Sequence, residues 1–279
     1  MIKVRNRLTL NPKIFSLPTK ILNKIKRQIL NPRLKVTSTN LILKSFGSAY
    51  GGWVVAISDS LKASTIISCG LGEDASFDIE MINEFNLRVV FVDPTPRAIE
   101  HFEQIINCLG SAKSMEYSVG GAQEIDAYEL VNLSQSSFKL IPKAIWLDDN
   151  PVRFYSPLIE DHVSHSISNY QNSYSTDTPF IDVEAITVKQ IMITESLESI
   201  PLIKLDIEGA EIEVISSFLD KGIFPEQILV EFDELSAPSL KARRRIITCH
   251  QQLIENGYAL VNYSKPSNFL YVLIKSFGL

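Results

Sequence analysis

Gly70, Leu71 and Gly72 follow the apolar run Ile66, Ile67, Ser68 and Cys69 and precede Phe77, Met81, Ile82 and Phe85 at helical spacing. This order predicts a buried strand, a tight turn in which glycine lets the backbone approach a ligand, and a helix that Asn86 ends. Glu73 and Asp74 are expected in the first helical turn, where carboxylates complement the positive end of the dipole. Arg88 to Val92 predict a second strand that delivers Asp93 and Pro94 to its C-terminal edge. That places an acid about 20 residues past the glycines, the spacing at which a carboxylate meets ribose hydroxyls. Gly70, Leu71, Gly72, Glu73, Asp74, Asp93 and Pro94 therefore form a candidate binding set for a nucleoside-bearing cofactor.

Charge bears on which cofactor. Gly70 and Gly72 followed by Ala75 also fit the looser dinucleotide fingerprint. A dinucleotide would set its pyrophosphate at the helix N-terminus, beside the negative charges of Glu73 and Asp74. S-adenosylmethionine brings an ammonium and a sulfonium instead, and acids near the loop suit it better. A strand-to-helix turn with no ligand is the third reading.

A second chemical cluster starts at Pro201. Leu202, Ile203, Leu205 and Ile207 are the frame of a buried parallel strand, interrupted by Lys204 and Asp206. Two residues apart, these charges face one side, where they can pair with each other or line a polar site at the strand's C-terminal edge. Glu208, Gly209, Ala210 and Glu211 then open a helix with Val214, Ile215, Phe218 and Leu219 on its sheet-facing side, ending at Gly222. His162 and His165 lie in a polar stretch and titrate near neutrality, so they are candidate general bases. They could also form a metal pair or be loop residues bonded to backbone. The candidate catalytic set is His165, His162, Asp206 and Glu208, with Lys204 beside them, and His165 is the favoured base.

The elements that must position these groups read as one α/β domain. The chain has 279 residues, 45% of them apolar, enough for a substantial core. Further elements are a segment of aromatic residues and glycines from Lys44 to Trp53, which would serve as a flap or as a β-turn in front of the domain, and a helix from Arg97 to Leu109. Then come strands at Met115 to Val119, Phe138 to Leu147, Val152 to Tyr155 and Ile228 to Phe232, a helix from Leu240 to Asn256, and a hairpin of Tyr258 to Tyr263 with Phe269 to Ile274. Three scattered cysteines, Cys69, Cys108 and Cys249, argue for a reducing compartment without disulfides or structural zinc. With neither a signal peptide nor a membrane span legible, a cytoplasmic location is expected. The first acid is Asp59, and eleven Lys and Arg precede it against a net charge of −5 for the whole chain. Residues 1–45 are read as a basic extension and 46–279 as the main domain. Ile14 to Leu30 could form an amphipathic helix that lies on an anionic membrane surface or packs on the acidic body. No nucleic-acid partner is expected, and nothing in the sequence sets the oligomeric state.

The run Lys204, Asp206, Glu208, Gly209 and Glu211 resembles the Lys-x-Asp-x-Glu-Gly-x-Glu signature of the FkbM family of S-adenosylmethionine-dependent methyltransferases. Asp93, Pro94 and Pro96 resemble that family's acid-Pro-x-Pro element, and Tyr50 to Trp53 and His162 to Ser166 resemble one bacterial branch of it. The first loop departs from the family's usual acid-x-Gly-x-Asn-x-Gly, with Ser68 in the acid's place and Glu73 and Asp74 in the loop. The resemblance implies a Rossmann-like class I methyltransferase sheet of seven strands with the last one antiparallel, S-adenosyl-L-methionine as cofactor, and O-methylation of a hydroxyl on a sugar, glycolipid or polyketide-type acceptor. Metal-dependent O-methyltransferases place acids where Asp206 and Glu231 stand, so a Mg²⁺ is conceivable, although no metal ligands are assigned. A NAD-type oxidoreductase or a non-catalytic nucleoside-binding domain on the same fold remain alternatives.

Overall fold

In a computed structural model, residues 30–155, 167, 175–236, 238–264 and 267–279 are described. Two short strands, β1 (Leu43–Phe46) and β2 (Trp53–Ala56), form an antiparallel hairpin ahead of the main sheet. Then come β3 (Thr65–Cys69), α1 (Ser76–Phe85), β4 (Arg88–Val92), α2 (Pro96–Asn107) and β5 (Phe138–Ile141). After β5 the chain makes β6 (Ala144–Ile145), β7 (Val152–Tyr155), β8 (Phe180–Val183), β9 (Ala185–Ile186) and α3 (Val188–Thr194). It closes with β10 (Leu202–Leu205), α4 (Glu211–Asp220), β11 (Gln227–Glu231), α5 (Leu240–Glu255), β12 (Tyr258–Ser264) and β13 (Asn268–Leu273).

Seven strands make one sheet in the order β12-β13-β11-β10-β3-β4-β5. From β11 to β5 all neighbours are parallel, while β13 enters antiparallel to both β11 and β12. This is the Rossmann-like methyltransferase sheet expected from the sequence. The strand order reverses between β3 and β10, and there the C-terminal ends of the strands leave a crevice.

Alternation along the strands sorts the core into two layers. Ile66, Val89, Phe91, Leu202 and Leu229 face α1 and α2, packing on Phe77, Met81 and Phe85 and on Trp53 and Val55 of the hairpin. Ile67, Val90, Ile203, Ile228 and Val230 face the other way, against Ile215 and Phe218 of α4 and Ile246 and Leu253 of α5. Burying both faces explains why these strands read as nearly continuous apolar runs.

Two expectations need correction. Met115 to Val119 is not a strand; the third parallel strand is Phe138–Ile141, and the earlier stretch runs as a loop with Met115 and Val119 exposed. A short alternating stretch such as Met115, Glu116, Tyr117, Ser118 and Val119 is ambiguous without a strand to pair with, and here it runs in the loop. Glu73 and Asp74 precede α1 rather than occupying its first turn, because the helix begins only at Ser76. The stretch from Ile14 lies outside the described residues up to Leu30, as do His162 and His165. Among the described residues, no helix is long and apolar enough to cross a membrane.

One buried polar tie holds the hairpin to the sheet. Gln227, at the start of β11, is fully buried, and its amide accepts from the Ala56 N–H and donates to the Ala56 carbonyl, both at 2.9 Å. Gln227→Leu would leave both backbone groups buried without partners. We expect it to lower unfolding stability by about 2–4 kcal/mol at constant m-value in urea melts, from a cost of about 1–3 kcal/mol per orphaned group.

Candidate active site

A cavity of about 780 Å³ opens at the C-terminal edge of the sheet over the β3–β10 reversal. It is lined by seven carboxylates, Glu73, Asp74, Asp93, Asp206, Glu208, Glu231 and Asp233, against two cations, Arg97 and Lys204. Gly70, Leu71, Gly72 and Pro94 line it too. The structure therefore brings every described candidate residue into one cleft, from two segments far apart in sequence.

The glycine loop is held from below and from the side. The Lys204 ammonium, almost wholly buried, donates to the Gly70 carbonyl at 2.6 Å. Lys204 stands opposite Ser68 across β10 and β3, on the face that α1 covers. The Asp78 carboxylate of α1 is fully buried, and burial pushes its pKa up against the pull of the Lys204 charge. Gly70 has φ +86°, and a β-carbon there would drive into the Asp206 carbonyl oxygen, so β3 and β10 meet at this point by direct backbone contact.

Asp93 is 6% exposed and accepts four hydrogen bonds. Its Oδ2 accepts the N–H groups of Leu71 and Gly72 at 2.9 and 3.1 Å, and its Oδ1 accepts the Thr95 N–H and hydroxyl at 2.9 and 2.7 Å. Asp74 is the hub on the opposite side. It accepts from the Ser48 hydroxyl at 2.6 Å, the Gln123 amide at 3.2 Å and the Ser76 N–H at 2.9 Å, joining the β1–β2 hairpin, the loop before β5 and the start of α1. The Ala75 N–H is taken by the Tyr128 hydroxyl at 3.0 Å, which also meets His101 Nε2 at 2.8 Å. Burial holds His101 below the usual imidazole range, against the opposing pull of Glu73 and Asp74. Glu73 faces Arg97 at 3.5 Å, a half-exposed pair that adds little.

The second cluster divides by role. Lys204 and Glu211 build the turn between β10 and α4, while Asp206 and Glu208 line the cavity. Glu211 is fully buried and accepts the N–H groups of Ile207 and Gly209, each at 3.1 Å. Its bonds hold a turn in which Glu208 has φ +53° and Gly209 φ +95°. A left-handed glutamate costs about 1–2 kcal/mol, a strain that sites of function commonly retain. Burial raises the Glu211 carboxyl well above its usual value, and the nearby Glu234 adds to the shift. Of the two readings of Lys204 and Asp206, a pair or a polar site at the strand edge, the structure places both residues at the cavity, with the Lys204 ammonium on the Gly70 carbonyl.

Tyr50, from the hairpin turn, overhangs the cavity. Partial burial pushes its phenol up, as do the carboxylates of Asp206, Glu208, Glu231 and Asp74. Ser48, Gln123, Tyr128, His101 and Asp78 were not legible as site residues. Each acts through a partner distant in sequence, and only the glycines flanking Ser48 hinted that this segment approaches the loop. Among the described residues no three His, Cys, Asp or Glu side chains converge to hold a metal ion.

Comparison with protein families matches the Methyltransferase FkbM domain over residues 48–248, well over half of the chain. The chain belongs to the FkbM methyltransferase family. In this FkbM domain the matched span contains both the glycine loop and the Lys204 to Glu211 turn, and the β12–β13 hairpin beyond it completes the sheet. Comparisons with curated proteins and with solved structures gave no match.

The two loop glycines should respond differently. Gly70→Ala has no room and should prevent folding or abolish cofactor binding, whereas Gly72, with φ +54° and nothing within 4 Å of an added β-carbon, should lose only about 1 kcal/mol as alanine. Calorimetric binding of S-adenosylhomocysteine and urea melts on both variants check this.

Glu211 gives a pH signature. With its folded pKa raised above the ordinary 4.5, the folded state holds a proton that the unfolded state releases. Its stabilising contribution is complete below about pH 4.5 and is lost as pH rises toward the folded value. Glu211→Gln should remove this part of the decline, so the stability gap between variant and wild type should shift in the variant's favour between pH 5 and 8. Urea melts across that range test it; a constant gap would mean that Glu211 is ionised in both states.

Proposed function

We propose that this FkbM domain is an S-adenosylmethionine-dependent O-methyltransferase acting on a hydroxyl of a sugar, glycolipid or polyketide-type acceptor. The observation that carries the reading is how the loop's donors are spent. The N–H groups of Leu71, Gly72, Ala75 and Ser76, which a pyrophosphate would need, are bonded to Asp93, Tyr128 and Asp74. A cleft with seven carboxylates against two cations disfavours a dinucleotide further and suits a cationic ligand.

The residues fit the group. Gly70 to Asp74 supply a backbone cradle, with Asp93 and Pro94 beside it for the nucleoside and the acids for the cationic end. When bound, the cofactor supplies a methyl group already activated on sulfur. The chain's own task is to position the acceptor and take its proton. Asp206 and Glu208, held at the cavity by the Glu211 turn, are proposed for that task, with His162 and His165 as further candidate bases. Three unpaired cysteines favour a reducing, cytoplasmic setting. The basic segment before Asp59 is proposed to touch anionic membrane peripherally, and no nucleic-acid partner is proposed.

At a hundredfold its dissociation constant, S-adenosylhomocysteine should stabilise the protein by about 2.7 kcal/mol in melts, and NAD should not. Stabilisation by NAD alone would overturn the reading. Asp206→Asn and Glu208→Gln should fold and bind S-adenosylhomocysteine, yet transfer labelled methyl to a cell extract at least about tenfold more slowly, a loss of about 1.4 kcal/mol of transition-state stabilisation. Wild-type turnover in both would assign the pair a structural role.

A further inference from the structure

Residues 30–37 lie as a strap along α5 and the edge strand β12. Arg243 of α5 donates to the carbonyls of Leu30 and Asn31 at 3.5 and 3.2 Å. Leu34 packs on the core layer that holds Ile246, Cys249 and Leu253 of α5, and the Thr37 N–H donates to the Leu260 carbonyl of β12 at 2.7 Å. Between these anchors Arg33, Lys35 and Val36 are exposed.

The start of α5 continues the same face. Lys241, Arg243, Arg244 and Arg245 crowd it, and its first turn holds no acid, so these cations oppose the helix dipole instead of serving it. Arg245 is engaged by Glu213 and Glu234, and Arg243 by the strap. Lys241 and Arg244, three residues apart on one side of the helix, are exposed, and Leu240 beside them is 64% exposed. Among the described residues none of Arg33, Lys35, Lys241 and Arg244 is in an ion pair. Strap and helix thus present four exposed cations and two exposed aliphatic side chains, with no carboxylate of their own before Glu255, on a chain of net charge −5.

The remaining basic sequence joins this face. Residues 1–29 hold eight Lys and Arg and no acid, and they connect at Leu30, beside Arg243. Basic segments brought side by side repel each other in water, and a surface of opposite charge relieves that repulsion. We infer that the strap and the start of α5 form a docking face for an anionic lipid bilayer, with Leu240 and Val36 entering the headgroup layer. The inference rests on the membrane contact proposed for the basic segment and extends it to folded elements. It also orients the molecule: Arg245 ties α5 to Glu234, the neighbour of cavity-lining Asp233, so the docked face lies at the same sheet edge as the cavity. A nucleic acid would meet the same cations, but the face offers aliphatic side chains and no aromatic ring on which a base could stack.

Vesicle sedimentation of the full chain tests this. Wild type should bind vesicles of phosphatidylglycerol and phosphatidylcholine in equal parts, ignore phosphatidylcholine alone, and be released steeply by added salt. Lys241→Glu combined with Arg244→Glu should weaken binding at least about tenfold although all eight N-terminal cations remain. The same variant should melt no earlier than wild type in urea, since acids suit that end of the helix, and should bind S-adenosylhomocysteine unchanged. Leu240→Ser should weaken vesicle binding at constant charge. Wild-type vesicle binding in the double variant, with loss in a Lys24→Glu, Lys26→Glu, Arg27→Glu triple variant, would overturn the docking face and leave the contact of the basic segment intact. Earlier melting of the double variant would assign these cations to the fold, and tighter binding to single-stranded RNA than to the vesicles would assign them to a different partner; either overturns the inference. Wild-type protein that ignores anionic vesicles would overturn both the face and the contact of the basic segment, and neither result bears on S-adenosylhomocysteine binding, which tests the methyltransferase reading separately.

Discussion

A single contact, from the Lys204 ammonium to the Gly70 carbonyl at 2.6 Å, joins the ends of two parallel strands whose residues lie far apart in sequence. A buried lysine is costly unless its charge is compensated and its donors are used. Here Gly70 supplies an acceptor at the one place where the loop must stay fixed, and the Lys204 charge pulls the buried Asp78 carboxyl of α1 down against the rise that burial causes. Because Gly70 carries no side chain, the loop backbone can lie against Asp206, and everything at the cavity floor follows from that approach. The glycine loop and the acid-rich turn are in this sense one structure.

Around that contact the acids divide into those that build and those that line. Asp93, Asp74 and Glu211 spend their oxygens on backbone N–H groups and neighbouring side chains, fixing the loop, the start of α1 and the turn after β10. Asp206, Glu208, Glu231 and Asp233 line the cavity, the first three close enough to raise the Tyr50 phenol.

Much of this was legible in the residue order. Apolar runs with punctuating glycines placed β3, α1, β4 and β10 in the right order and β4 to the residue, because both faces of a central parallel sheet must be apolar, while α1 starts later and β10 ends earlier than read. Lys204 and Asp206 were read as able to pair or to line a polar site, and alternation along an isolated strand could not show that the lysine reaches the Gly70 carbonyl on the neighbouring segment. Asp74 was expected to serve the helix dipole, and it does cap Ser76, but its bonds to Ser48 and Gln123 depend on segments that no local pattern links. Met115 to Val119 failed for the complementary reason, as an alternating stretch whose would-be strand neighbour, β4, is occupied by Phe138–Ile141.

The most direct test of the central claim is a crystal structure with S-adenosylhomocysteine. The account predicts the nucleoside in the cleft over β3 and β4, beside Asp93, with Lys204 still bonded to the Gly70 carbonyl and Glu211 still holding the turn at Glu208. A ligand bound elsewhere, or a loop that releases Lys204 to admit it, would contradict it.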